Sequence, residues 1–331
     1  MPLATLDARD RVAALLRIDA RAEIARLEQV IRTHVAGPLH RRGVVVGVSG
    51  GIDSSVVCLL AARALGPGRV LALCLPEREG PSTSVRLGRL VAERAGAAVE
   101  TVAVGPLLEA AGCFQEQSRA VRTAIPEFGD GWEIKLSVPS LLERERLNVF
   151  TLEARDPEGG RHRARLSAAA YRHLIAATNM KQRARKGVEY FWADRLGYAV
   201  AGTPNRLEYD QGFFVKNGDG AADLKPIAHL LKTQVYQLAE ALGVPEEIRT
   251  RTPTTETFAL DQTQEEFYFG APLWVLDWCL HGLDRKLPPE AVAEPLGLST
   301  EQVTRIQADL LRKREATRYL RLPALLAAEE A

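Results

Sequence analysis

Val44-Val45-Val46-Gly47-Val48-Ser49-Gly50-Gly51-Ile52-Asp53-Ser54-Ser55 decides how this chain folds. The valine run reads as a buried strand, the paired glycines as a tight turn, and Ile52 to Leu65 as a helix closed by Gly66. Downstream, Val70 to Leu75 and Val99 to Val104 read as strands, with a helix from Val85 to Ala95 between them that stops at Gly96. Upstream, Ile24, Leu27, Val30, Ile31 and Val35 recur at helical spacing, predicting an amphipathic helix over about 18–36. Leu174 to Thr178 and Tyr198 to Thr203 read as further strands separated by a Lys/Arg-bearing helix. Val235, Leu238, Ala239 and Leu242 mark a helix stopped by Gly243, and Ser299 with Gln302 reads as a capping box. Alternating strands and helices predict an α/β fold, a doubly wound, mostly parallel sheet with helices on both faces. The rhythm fails between Gly105 and Arg172. There Leu147 to Glu153 faces Arg161 to Leu166 across Asp156-Pro157-Glu158-Gly159-Gly160, predicting a hairpin insertion over about 139–168 within one domain, 1–331.

Composition removes several classes of function. The 331 residues carry 43 Lys plus Arg against 42 Asp plus Glu, a net charge of +1, so no global field draws in nucleic acid or anionic lipid. No apolar run approaches the ~18 residues of a membrane span, and Met1 to Val12 lacks the apolar core of a signal peptide, so a cytoplasmic protein is expected. Cys58, Cys74, Cys113 and Cys279 form no CxxC pair, and the six histidines form no HxH, HxxxH or HExxH. Any metal would be held by carboxylates.

The glycine turn follows a strand and opens a helix, the place where α/β sheets bind ligands. Glycines let backbone N–H groups approach an anion, the hydroxyls of Ser49, Ser54 and Ser55 can donate, and the helix N-terminus adds roughly half a positive charge. A pyrophosphate fits such a pocket. Gly47-Val48-Ser49-Gly50-Gly51 also matches the G-x-S-x-G nucleophile elbow. An elbow serine comes after several strands and needs an oxyanion segment upstream and a late histidine. Here the turn follows the first strand, no HGGG segment precedes it, and His229 and His281 sit in ordinary helical patterns. Neither G-x-x-x-x-G-K-[ST] nor G-x-G-x-x-G occurs.

The loop resembles that of the ATP pyrophosphatases, which cleave ATP between the α and β phosphates to activate a carboxylate or carbonyl. Three later blocks narrow the likeness: Asn179-Met180-Lys181-Gln182-Arg183-Ala184-Arg185, then Gly202-Thr203-Pro204-Asn205-Arg206-Leu207-Glu208, then Gly212 through Asp223. In order and spacing these are similar to the NAD synthetases, across about Ile18 to Gly297. The resemblance implies ammonia-dependent amidation of nicotinate adenine dinucleotide (deamido-NAD) to NAD through an adenylate, with ATP as co-substrate, AMP and pyrophosphate as products, and a homodimer. It implies Mg²⁺ on Asp53 and Glu208. ATP would meet Gly47, Val48, Ser49, Gly50, Gly51, Ile52, Asp53, Ser54, Thr203, Lys232 and Thr254. The dinucleotide would meet Arg183, Lys216 and Asp223, with Asp53 and Lys216 as the catalytic residues.

Chemistry agrees with those residue types. Attack of a carboxylate on a phosphate joins two anions, so the site needs cations and fixed geometry. Phe213-Phe214 beside Lys216 can stack a nicotinate ring. Departures are also visible. Pro253-Thr254-Thr255-Glu256 has glutamate where the family's mobile loop has aspartate, Pro204-Asn205 replaces Asp-His, and the insertion has no counterpart. The nearest alternative is a related amidating ligase acting on another carboxylate. A tRNA-modifying enzyme would need paired cysteines or a basic appendage, and a mere nucleotide sensor would not need Asp53 and Glu208. Only 48 residues precede Ser49, none of them cysteine, so no glutaminase domain is expected before the loop. Free ammonia is the expected nitrogen source, with a separate glutaminase subunit as a possible supplier.

Overall fold

Val44, Val45 and Val46 are fully buried, which a strand achieves only when both faces are covered. The computed structural model describes residues 6–77, 82–142, 150–254 and 258–327. Its elements begin with helices α1 (Ala8–Leu15) and α2 (Ala20–Ala36), then β1 (Val44–Gly47), α3 (Ile52–Leu65), β2 (Val70–Cys74), α4 (Thr83–Ala95) and β3 (Ala98–Thr101). Helices α5 (Gly105–Ala110) and α6 (Cys113–Arg122) lead to strands β4 (Glu133–Ser137), β5 (Thr151–Arg155) and β6 (Arg161–Arg165). Then come α7 (Ala168–Leu196), β7 (Ala199–Ala201), α8 (Arg206–Gln211), α9 (Lys232–Leu242) and α10 (Glu246–Arg249). A π-helical turn at Glu265–Phe269 precedes α11 (Leu273–Arg285), α12 (Pro289–Leu296) and α13 (Thr300–Ala316).

The main sheet is parallel, in the order β3-β2-β1-β7. Val44, Val46, Ala72, Ala199 and Ala201 turn to one face, against apolar side chains of α2, α3, α4 and α9. Val45, Leu71, Leu73 and Val200 turn to the other, against Ala193, Tyr190, Trp192 and Leu196 of α7. This is the doubly covered α/β sheet expected from the valine run. Each buried aliphatic side chain contributes roughly 1.5–3 kcal/mol, so the strand is pinned in register from both sides. The carboxyl ends of β1, β2 and β7 therefore open on one edge.

The strand expected at Leu174 to Thr178 does not exist; these residues lie inside α7, which runs for 29 residues. Leu174, Ala177 and Thr178 are buried at helical intervals rather than alternately. Ser167 starts the helix by accepting from Ala170 N, and Gly197, in the left-handed region, ends it.

The interrupted region is a three-stranded antiparallel sheet, β4-β5-β6, rather than a hairpin alone. Leu147 to Asn148 and Val149 lie outside the described residues, and β5 and β6 carry the remainder of the paired segments. The missed strand, β4, begins before residue 139 and shows a strict alternation, with Ile134 and Leu136 buried and their neighbours half-exposed. Ile134, Leu136, Leu152 and Ala154 pack on Val121, Ile125 and Leu174. A third core joins α1 to α11, α12 and α13 around Phe269, Leu276, Val292, Val303 and Ile306. Ser299 and Gln302 form the expected capping box of α13. Among the described residues, no helix is long and apolar enough to cross a membrane.

Candidate active site

Two turns bring the key carboxylates to the same sheet edge. The first is the β1–α3 turn, where Gly50 has φ +72° and a Cβ would lie 2.6 Å from Leu87 Cβ, so glycine is required on two counts. Gly51 N–H donates to Ser49 Oγ at 3.3 Å, and the hydroxyls of Ser54 and Ser55 donate to Gly51 O at 3.0 and 2.8 Å. Ser55 is fully buried. Its hydroxyl therefore shapes the turn and does not face a ligand, contrary to the sequence reading.

The second turn follows β7. Asn205 caps α8 by accepting from Glu208 N at 3.1 Å, and Asn205 N–H donates back to Glu208 Oε2 at 3.1 Å. This capping box could have been read from Asn-x-x-Glu in the sequence. It does more than start a helix, because Asn205 Nδ2 also donates to Asp53 Oδ1 at 3.1 Å. One buried amide thus bridges the two carboxylate positions. Glu208 Oε1 accepts from Gln264 Nε2 at 3.1 Å, a partner that sequence reasoning did not single out.

Lys232, at the start of α9 and only 3% exposed, forms an ion pair with Asp53. Burial and the nearby Asp53 charge push the Glu208 carboxyl up to about 7, against the opposing pull of Lys232. Asp53, Glu208 and Lys232 form a compact charged group with less positive than negative capacity.

Lys232 is itself positioned from α11. Asp277, fully buried, accepts from Lys232 N at 3.2 Å and from Thr233 N and Thr233 Oγ1 at 2.7 Å each. Leu231 precedes α9 and offers no side-chain oxygen, so the helix is capped from outside. Asp277→Ala is expected to cost about 1–3 kcal/mol and to loosen Lys232, read as a lower denaturation midpoint and, with the buried Asp277 carboxyl gone, a weaker pH dependence of that midpoint between pH 6 and pH 8. Unchanged values for both would remove Asp277 from this role.

These groups open into one cleft of about 1240 Å³ that runs from the glycine loop along α7. Gly47, Val48, Ser49, Gly50, Gly51, Ile52, Asp53 and Ser54 line it, as do Thr203, Glu208, Lys232 and Thr254. Arg183 and Lys216 line it too, joined by a 3.2 Å bond from Arg183 Nε to Lys216 O. Lys216 Nζ donates to Tyr319 O and Leu322 O at 3.0 and 3.2 Å, so the C-terminal segment lies over it. Asp223 stands apart. Its carboxylate accepts from Val200 N at 2.7 Å and Tyr190 Oη at 3.4 Å, bracing β7, and it is not among the described residues lining the cleft. Phe213 and Phe214 both line the cleft, Phe214 stacked on Tyr209 and Phe213 beside Tyr268. Thr255 and Glu256 lie outside the described residues.

An NH3-dependent NAD+ synthetase of Mesorhizobium japonicum is 53% identical over 315 residues, covering 95% of this chain and 99% of the relative. One from Rhizobium meliloti is 51% identical over 310 residues, covering 94% and 92%. Among solved structures, an NMN synthetase from Francisella tularensis superposes with a TM-score of 0.64 at 22% identity, covering 94% of this chain and 99% of that one. An NH3-dependent NAD synthetase from Campylobacter jejuni gives 0.61 at 20%, covering 93% and 100%; at such identities the likeness speaks for the fold. The NAD synthase family model matches residues 23–125 and 160–320, which include the glycine loop, Glu208 and Lys232, and the chain belongs to that family.

Proposed function

We propose that this protein is a ligase of NAD biosynthesis that amidates deamido-NAD with ammonia, cleaving ATP to AMP and pyrophosphate through an adenylate. The observation that carries the reading is the pair Asp53 and Glu208, joined through Asn205 and set against Lys232 beside the glycine loop. The loop and the N-terminus of α3 receive the departing pyrophosphate, while Thr203, Lys232 and Thr254 face the rest of ATP. Arg183 and Lys216 supply positive charge to the dinucleotide. The nicotinate carboxylate oxygen bonds to the α phosphorus as pyrophosphate leaves. Ammonia then bonds to the acyl carbon, AMP leaves, and the nitrogen sheds one proton.

The donor set fits Mg²⁺, which is held by one or two carboxylates together with substrate phosphates. Two partly buried carboxylates, one of them pushed up to about 7 by burial and by the other, are stabilised by added positive charge. Mg²⁺ on Asp53 and Glu208 would neutralise phosphate charge during the attack. The reading includes a homodimer in the cytoplasm, with ammonia arriving free or from a separate glutaminase. It also treats the elements as one domain, since both sheets and the C-terminal segment supply walls to one cleft.

The test is product identity. With ATP, Mg²⁺ and ammonium, AMP should form one for one with NAD when deamido-NAD is supplied, and not with other carboxylates. Glutamine in place of ammonium should give little product. Stoichiometric ADP, or AMP formed with a different carboxylate only, overturns the assignment.

A further inference from the structure

Glu208 is held from two sides, by its own helix and by a segment far along the chain. Its Oε2 accepts from Asn205 N in the capping box of α8, while its Oε1 accepts from the Nε2 of Gln264, 56 positions later, at 3.1 Å. The other half of that amide is left unsatisfied. Gln264 Oε1 is buried without a hydrogen-bond partner among the described residues. An unpaired amide oxygen inside a protein is destabilising, and a leucine of similar size would avoid it. The bond from Nε2 to Glu208 is what the glutamine side chain supplies against that cost.

The backbone around Gln264 is fixed in three directions. Towards the second sheet, Leu260 N donates to Ile134 O at 3.3 Å, Val138 N donates to Glu266 O at 2.8 Å, and the amide of the buried Gln262 donates to Leu136 O. Towards the turn that carries Thr254, Gln264 N donates to Pro253 O at 3.2 Å, and Thr263 bridges to Thr254. Towards α11, Glu265 Oε1 accepts from Leu273 N at 2.9 Å. Gln264 directly precedes the π-helical turn Glu265–Phe269, which Gly270 N closes on Glu265 O at 2.7 Å. Single π turns are rare and concentrate at functional sites. The strand that anchors this segment, β4, falls within residues 126–159, which the family match leaves out.

We propose that Gln264 is a positioning residue for the metal carboxylate Glu208, and that the second sheet is the frame that holds Gln264 against it. This rests on the function proposed above, in which Asp53 and Glu208 hold Mg²⁺. One donor on each oxygen fixes the plane of the Glu208 carboxylate and leaves each oxygen a further lone pair for a cation. A ligand oriented in this way by an outer hydrogen bond loses less freedom when the ion binds, and removing such a partner weakens the metal rather than the fold.

The probe is Mn²⁺ in place of Mg²⁺, its binding read by electron paramagnetic resonance with α,β-methylene-ATP, which cannot be cleaved between the α and β phosphates. Gln264→Leu should weaken Mn²⁺ binding about tenfold to a hundredfold and raise KM for Mg²⁺ in parallel, with KM for deamido-NAD unchanged. Gln264→Met, unbranched and of similar length, should do the same, which separates loss of the amide from a packing fault around leucine. In a Glu208→Ala background, where phosphates and Asp53 still hold the ion, Gln264→Leu should weaken Mn²⁺ binding no further, because its effect passes through Glu208. Gln262→Met cuts one tie to β4 without lining the cleft, and should weaken Mn²⁺ binding severalfold. Unchanged Mn²⁺ binding in both Gln264 variants, a rise in KM for deamido-NAD instead, or an equal loss in the Glu208→Ala background overturns the positioning role. Unchanged binding in Gln262→Met removes the second sheet from it. Wild-type Mn²⁺ binding that Glu208→Ala leaves untouched would instead overturn the metal reading on which the proposal rests.

Discussion

Asp53→Asn and Glu208→Gln should each lower turnover by about a hundredfold or more, the scale for removing one preorganised electrostatic contact from a site of this kind. Both amides keep an acceptor oxygen, so the Asn205 bridge and the cap of α8 can survive. Glu208→Gln should also alter stability in a diagnostic direction. The Glu208 carboxyl is raised in the folded protein to about 7, above the ~4.3 of an unfolded chain. Its contribution to stability is thus present in full below pH ~4.3 and lost as pH rises through about 7. Without added metal, Glu208→Gln should match the wild type near pH 4 and outlast it in denaturant at pH 8. A charge that weakens the fold at working pH is then retained for chemistry. Because both carboxylates are proposed to serve one ion, the double variant should lose far less than the product of the single losses. Multiplicative losses would sink the shared ion, and full turnover in either single variant would remove that residue from the site.

The parallel sheet was legible because Val44 to Val48, Val70 to Leu75 and the glycine turn are local signals, each closed within a few residues. Glu208 was legible only through the block Gly202 to Glu208, since a lone carboxylate after a strand has no distinctive period. Leu174 to Thr178 forms helix although a short apolar run suits either structure, because Ala168, Ala169 and Ala170 before it favour helix and Ser167 caps it. β4 alternates over Glu133 to Ser137, but five residues between Gly129, Gly131 and Pro139 are too short a signal to stand out from the turn residues around them. Asn205 had a local signature in its capping box, but its reach to Asp53 spans 152 positions and follows from tertiary packing alone. The same holds for Gln264 on Glu208 and Asp277 beneath Lys232, which depend on how α8, α9 and α11 meet.

Lys232→Met tests whether the charged group is held together as a unit. The substitution keeps an apolar stem of similar length and removes the ion pair, leaving the Asp53 carboxylate in a pocket where its side chain is only 15% exposed. Breaking a buried pair from one side costs about 3–5 kcal/mol, because the remaining charge is uncompensated. The effect should depend on pH. Lys232 pulls the Glu208 carboxyl down, so without it that carboxyl climbs further above about 7. By the same sign as before, stability is lost as pH rises through the higher value, and the variant should lose more between pH 6 and pH 8 than the wild type does. Adding Asp53→Asn to Lys232→Met removes the orphaned charge and should recover most of the lost stability while turnover stays at least about a hundredfold down. Denaturant titrations of the three proteins at both pH values supply the comparison. If Lys232→Met is as stable as the wild type at pH 8, Asp53 is not desolvated as the structure has it, and the electrostatic account of the site fails at its foundation.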